Sequence, residues 1–233
     1  MYNFKYETHL HTSEASDCAE SSGAELVDYY KAAGYAGFVV TDHFFNGNTC
    51  IPEDLTWEER VNLFCKGYEN AAARGKAVGF DVFFGFEYNH LGTEFLVYGL
   101  GKTWLTEHPE IMHPDLKTAL RLIRNSGGFT VHAHPFREAG YIDMIRLVPG
   151  LTDAVEILNG GNMFRDPLFN ERASRYASMY GFPRIAGTDM HKAGEFIYGG
   201  IAAENRLTDI DSFIRTIKKE EYEIIWNGTH PEL

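Results

Sequence analysis

His9 and His11 stand two residues apart where the stretch FKYETHLHT ends. In an extended chain that spacing sends both imidazoles to one face, so a single metal ion could take both. Asp189 and His191 repeat the spacing after PRIAGT and put an oxygen and a nitrogen donor on one face. Further donors fall where other apolar runs stop: Asp42 and His43 after GFVV and Thr41, Glu87 after DVFFGF, and His132 and His134 after GGFTV. Mixed imidazole and carboxylate donors suit Zn, Mn or Fe, whereas Ca and Mg prefer oxygen alone. A lone hydrolytic zinc needs only about three protein ligands beside its water. The donors here exceed that, so a multinuclear centre is expected. The matching chemistry is metal-assisted hydrolysis, with an activated water attacking its target in line. No Ser or Cys nucleophile arrangement and no Gly-rich P-loop competes, so no covalent intermediate is expected.

Those donors need elements that bring them together. Apolar runs alternate with amphipathic stretches in a βαβ rhythm, which points to a mainly parallel sheet with helices outside. The pattern predicts strands over residues 3–9, 36–41, 80–87, 94–99, 128–132, 152–158, 184–187 and 222–226. Helices are predicted over 24–33, 56–74, 114–126, 167–181 and 209–219, the fourth announced by Asp166 at the N-cap and Pro167 in the first turn. In a parallel barrel all strand ends meet at one mouth, which would gather at least five histidines and two carboxylates. The irregular segments 44–55 and 101–113 are expected to be active-site loops there. Tyr29, Tyr30, Phe64, Tyr68 and Tyr176 fall at helical spacings and are expected in the core. His108, His113 and His230 follow no strand end and are expected at the surface.

The 233 residues suit a single α/β domain spanning 1–233, without repeat, low-complexity segment or linker. Hydrophobic residues at 44% and charged residues at 23% exclude general disorder. A net charge of −12 argues against extended nucleic-acid binding, which needs clustered Lys and Arg. It leaves small phosphorylated ligands and short oligonucleotides open, because bound cations reverse the sign of an acidic pocket. No membrane span and no signal-peptide pattern is seen, so a cytoplasmic address is expected. Cys18, Cys50 and Cys65 offer neither a disulfide framework nor a CxxC site, so nitrogen and oxygen donors are expected for any metal.

ETHLHT, TDH, GFE, HAHP and GTDMH, in this order, resemble the polymerase and histidinol phosphatase (PHP) superfamily. The resemblance spans His9 to His191. It implies a distorted seven-stranded β/α barrel with a binuclear or trinuclear centre of divalent Zn, Mn or Fe that hydrolyses phosphate esters. Carried over, it assigns His9, His11, Glu87 and Asp189 to one metal, Glu87 and His134 to a second, and Asp17, His43 and His191 to a third. Two departures stand out. Glu7 replaces a more usual Asp and is expected to accept a bond from a ligand histidine. The stretch TEFLVYG after the shared Glu87 lacks the histidine expected there, and Glu94, His132 or His90 would have to substitute. Catalytic roles fall to Glu87, Asp189 and Arg137.

Arg137 in HPFR suits bidentate binding of phosphate oxygens, with Arg165, Lys192 and His90 as further phosphate contacts. Asn159 is expected to orient ligands or substrate, and Glu156 to support rather than bind a metal. Family substrates would be histidinol phosphate, a nucleoside bisphosphate or a short oligonucleotide cut from its 5′ end. The short stretch between Glu87 and His134 leaves no room for the large helical insertion of some nucleotide-acting members. Two rivals remain: an amidohydrolase-type hydrolase, and a non-catalytic metal-stabilised regulatory domain favoured by the gap at TEFLVYG.

Overall fold

The computed structural model describes residues 2–113, 115–194 and 199–226. The described strands are β1 (Phe4–Glu7), β2 (Gly37–Val40), β3 (Asp81–His90), β4 (Thr93–Tyr98), β5 (Phe129–His132), β6 (Ala154–Asn159), β7 (Arg184–Gly187), β8 (Ile201–Ala203) and β9 (Tyr222–Ile224). They form one sheet in the order β7-β6-β5-β4-β3-β2-β1-β8-β9. Strands β1 to β7 wrap round until their ends meet. Leu10 and Met190 form a parallel bridge there, with the His11 N–H donating to the Met190 carbonyl (2.8 Å) and the Asp189 N–H to the His9 carbonyl (2.9 Å). The result is the expected α/β architecture with a nearly closed barrel. It has nine described strands rather than seven, because β8 and β9 continue the sheet antiparallel from β1.

The described helices are α1 (Gly23–Ala32), α2 (Trp57–Phe64), α3 (Lys66–Val78), α4 (Lys102–Glu107), α5 (Leu116–Asn125), α6 (Gly160–Met163), α7 (Leu168–Tyr180) and α8 (Ile210–Lys219). Reciprocal capping boxes start three of them: Ser22 with Glu25, Thr56 with Glu59, and Asp209 with Ser212. The helix predicted over 56–74 is instead two, parted at Cys65, and the second runs on to a left-handed Gly79. For α7 the N-cap is Pro167 itself, while Asp166 accepts the Leu168 N–H.

Alternation along the strands sorts the core. Val39, Phe83, Leu96, Val131 and Ile185 cluster inside the barrel, closed at one end by Phe213 and Ile217 of α8. Phe38 and Val40 face α1 and α3, Phe86 and Val97 face α2, α4 and α5, and Val155 and Ile157 face α7. Tyr30, Phe64 and Tyr176 are buried in these outer layers, and Tyr29 and Tyr68 pack partly buried beside them. No helix among the described residues is long and apolar enough to cross a membrane.

The sheet departs from all-parallel at one consequential place. β4 pairs antiparallel with both β3 and β5, so its first residues, not its last, reach the mouth of the barrel. Glu94 therefore lies at the mouth, paired across from Asn89. For the same reason 101–113 is no active-site loop: it leaves the opposite end of β4 and forms α4 and a 3₁₀ turn over Pro109–Met112. The loop 44–55 does reach the mouth, through Asn46, Gly47 and Asn48.

Strand β7 fits against the barrel interior only because residue 187 has no side chain. A Cβ at Gly187 would lie 2.6 Å from the His9 Cβ and 2.7 Å from a Glu156 carboxylate oxygen. Gly187→Ala should therefore cost about 1–3 kcal/mol, read from denaturant midpoints, and loosen the His9–Glu156 pair.

Candidate metal centre

β1 ends at Glu7, whose Oε1 accepts the N–H groups of Thr8, His9 and Thr188 at 2.9 Å each. The chain then resumes its alternation, with Leu10 packed outward against the α1 side and the rings of His9 and His11 together inside. Four strand ends converge on these two rings. The His9 Nε2 lies 3.1 Å from the His11 Nε2, 3.2 Å from the Glu87 Oε1 and 3.4 Å from the Asp189 Oδ1. The His11 Nε2 is 3.2 Å from the same Asp189 oxygen. The other Glu87 oxygen, Oε2, faces the His43 Nδ1 at 2.7 Å. The His134 Nε2 sits 3.4 Å from both the Glu87 Oε1 and the Glu94 Oε2. His11, His43 and His191 bring their nitrogens together as a third group, their rings stacked on that of His11 at 4.1 and 4.4 Å.

Outer bonds leave ring nitrogens turned inward. The His9 Nδ1 meets Glu156 at 2.9 Å, and the His191 Nδ1 meets the Asp189 carbonyl at 2.8 Å. The His11 Nδ1 is 3.3 Å from the Ser16 hydroxyl, which donates to Asp42 at 2.8 Å. A proton on each Nδ1 satisfies all three contacts and leaves Nε2 as a lone-pair donor. The Glu87 oxygens and the His43 Nδ1 are close to one another yet make no aligned hydrogen bond. Buried polar atoms seldom go without partners. Convergent lone-pair donors with orphaned carboxylate oxygens fit divalent cations. His134 and Asp189 also hold left-handed backbone conformations (φ 28° and 58°), the strained kind that collects at functional sites.

Electrostatics agree with the geometry. Burial works against ionisation of Glu87, but the His9 and His43 imidazoles hold its pKa well below the ordinary carboxylate range. Asp189 is likewise held low, against burial, by His9 and the Arg137 guanidinium. Burial, with His43 and His191 beside it, pushes His11 well down, so that ring is a neutral donor. Burial and the neighbouring Glu87 raise Glu94.

Several expected residues are placed differently. Asp17 is exposed and belongs to no donor group among the described residues. Its neighbour Cys18 lines the same cavity as His43 and His191. Burial opposes ionisation of that thiol, but hydrogen bonding from His191 and His43 prevails and lowers its pKa to about 6. Cys18 is nonetheless exposed and, like Asp17, belongs to no donor group among the described residues, so the convergent donors are nitrogen and oxygen. His132 faces outward, as its place between inward Val131 and Ala133 demands. Its ring stacks on Phe95 at 4.7 Å and lacks a hydrogen-bond partner, and it joins no donor group. The strand ends at His132, and the turned backbone of His134 brings that ring inward.

Arg137 is no free fork. Its Nε donates to Asn162 (2.9 Å) and its Nη2 to Asn159 (2.6 Å) and Asp189 (2.7 Å). Asn159 is fully buried and also donates to Glu156. Glu156 supports His9 as expected. Glu7 differs: it accepts backbone N–H groups and the Tyr30 hydroxyl, not an imidazole. Arg165 is exposed on the cavity wall, whereas Lys192 pairs with Glu20, and His90 is half-buried off that wall. His108 and His113 flank the 3₁₀ segment, the first half-buried and the second exposed, and His230 is outside the described residues.

The centre opens into a cavity of about 1070 Å³ whose walls include His43, Glu94, Arg137, Asp189 and His191. Solved structures share this arrangement of elements. A two-domain protein containing a predicted PHP-like metal-dependent phosphoesterase, from Bacteroides vulgatus, aligns with a TM-score of 0.71 at 15% identity. The match covers 96% of this chain, which spans 64% of that one. The chain has the PHP-like fold. A second structure, a candidate metal-dependent phosphoesterase from Bifidobacterium adolescentis, aligns at 0.55 with 16% identity over 91% of this chain and 94% of that one. An amidohydrolase from Chromobacterium violaceum, carrying sulfate and no metal, aligns at 0.53 with 15% identity over 96% and 98%. No protein-family model and no curated protein matches the chain.

Burial lifts the Glu7 carboxyl from its ordinary 4.5 to about 7, against the N–H donors that lower it. The folded chain then keeps a proton that the unfolded chain releases. This contribution to stability is complete below pH 4.5 and is lost as pH rises through about 7. Glu7→Gln should flatten that decline in thermal unfolding of the chelated protein. An unchanged slope would mean that Glu7 is ionised throughout.

Proposed function

We propose that the protein hydrolyses phosphate esters, either small phosphomonoesters or nucleotides, using two or three divalent Zn, Mn or Fe ions. One observation carries the reading: the two oxygens of Glu87 are divided between donor groups. Oε1 faces His9 and His134, and Oε2 faces His43 and, at 3.7 Å, His11. A carboxylate so placed can be shared by two cations. His9, His11, Glu87 and Asp189 would hold one, Glu87, His134 and Glu94 a second, and His43 and His191 with His11 a third. Bound there, the ions would supply Lewis-acid charge to phosphoryl oxygens and lower the pKa of water.

The chain's own residues do the rest. Arg137 fixes the Asp189 carboxylate in place while its guanidinium adds positive charge to the cavity wall. Arg165, exposed across the same cavity, is the better placed group to meet an incoming phosphate. Glu156 and Asp42, reaching His9 and Ser16, keep the imidazoles in register. The inward carboxylate of Glu94, 3.4 Å from the His134 Nε2, supports a catalytic reading over the non-catalytic domain that the gap at TEFLVYG favours. An amidohydrolase reading shares the fold, and assay of the same preparation on phosphate esters and amides separates the two. The partner is a small phosphorylated molecule or a short oligonucleotide, in a cytoplasmic setting.

The purified protein should hold about two or three equivalents of metal by elemental analysis, and chelation should abolish phosphate release. Glu87→Gln and Asp189→Asn should each abolish release with the fold kept. Glu94→Ala should lower metal content by up to about one equivalent, and His132→Ala should leave it unchanged. No more than one tightly held ion in protein purified without chelator, or wild-type rates in the Glu87 variant, would refute the proposal.

A further inference from the structure

Glu94, buried at the mouth of the barrel, has one of its two oxygens already engaged. Its Oε1 accepts a bond from the Asn89 Nδ2 at 2.9 Å, while its Oε2 faces the His134 Nε2 at 3.4 Å. Asn89 and Glu94 stand directly opposite each other across the β3–β4 hairpin, where a two-residue turn of left-handed Leu91 and Gly92 fixes the register. Which atom of the Asn89 amide meets Glu94 is decided by its other contact. The Asn89 Oδ1 accepts the Gly92 N–H at 3.2 Å, so the amide nitrogen, a donor only, is the group left for the carboxylate. The main chain of Asn89 is held as well: its N–H donates to the Asn46 Oδ1 at 3.2 Å and its carbonyl accepts the Asn46 Nδ2. Asn46 belongs to the loop that follows His43, so the segment carrying one candidate ligand is stitched to the strand that orients another. Asn46, Asn89 and Glu94 all line the cavity.

We propose that Asn89 is the positioning residue of the second metal position: its amide holds the Glu94 Oε1 and so presents Oε2 alone to the cation shared with Glu87 and His134. The proposal rests on the metal-centre reading given above. A hydrogen bond to a charged acceptor is stronger than one between neutral groups, so the Asn89 donor favours the ionised carboxylate that a cation needs. It also fixes the terminal torsion of Glu94, which is broad and loosely set by its own energetics. Partners that stand behind metal ligands typically contribute about 10–100-fold to metal affinity. Asn89 acts on the cation through Glu94, so its effect must vanish when that carboxylate is removed.

A double-mutant cycle on metal affinity reads that dependence directly. The chelated full chain should be titrated with Mn(II), the free ion being followed by electron paramagnetic resonance, as wild type, Asn89→Ala, Glu94→Ala and the double variant. Glu94→Ala should remove one binding step. Asn89→Ala should weaken that same step about 10–100-fold and change nothing further in the Glu94→Ala background. Asn89→Ser is the second variant, because its hydroxyl can still accept the Gly92 N–H, both bonds from Asn46 go to main chain, and its side chain is too short to reach Glu94. It should show the same loss of affinity with a denaturant midpoint close to wild type in the chelated state, which a merely structural role would not give. Wild-type Mn(II) affinity in Asn89→Ser, or an equal loss with and without Glu94, overturns the role of Asn89 while leaving the metal centre standing. A Glu94→Ala titration identical to wild type does the same. No Mn(II) bound by the wild type overturns the proposal, and no zinc bound either overturns the metal-centre reading with it.

Discussion

The structure turns on the burial of negative charge at one end of a barrel. Glu87, Asp189 and Glu94 have almost no exposure, and each lies against imidazole nitrogens rather than water. Isolated buried carboxylates would take up protons or keep the site open, because desolvation of an unpaired charge is costly. Here the surroundings press the other way. Arg137 and several ring nitrogens favour the ionised forms of Glu87 and Asp189, and the remaining lone pairs point at a common space. Cations in that space are the arrangement that satisfies these groups together.

The barrel is built to hold that arrangement still. Its interior is apolar and plugged by α8 at one end and polar at the other, so the donors stand on an incompressible base. Outer contacts then fix each ring: Glu156 and Asn159 behind His9 and Asp189, and the Thr12–Asp42–Ser16 set behind His11. The antiparallel β4 belongs to the same design. By reversing one strand, the fold brings a tight turn at Leu91 and Gly92 to the mouth and delivers Glu94 from a strand start instead of a strand end.

Much of this was legible in the residues because ligand spacing and strand periodicity obey the same rule of two. His9 with His11, and Asp189 with His191, sit at the ends of apolar runs, and the structure brings all four together. What stayed hidden depends on tertiary context. The three residues of β8 are too few to carry a pattern, and they are positioned by a left-handed Gly200 where any Cβ would strike the Tyr6 carbonyl. The break at Cys65 leaves the apolar periodicity of α2 and α3 almost continuous, so no residue type announces it. His132 reads as a ligand candidate only until the outward parity of its strand is known. Asp17 lies in a loop, where no periodicity says which way its side chain turns, and it is exposed.

The account stands or falls on whether cations complete this end of the fold, and thermal unfolding of the chelated chain at neutral pH, titrated with zinc, tests that most directly. A ligand that binds only the native state raises its stability by mass action, about 2.7 kcal/mol at one hundred times the dissociation constant. The midpoint should climb steadily with zinc in the wild type and far less in Glu87→Gln. A midpoint indifferent to zinc in the wild type would mean that the carboxylates and imidazoles satisfy one another, and that the centre is not a metal site.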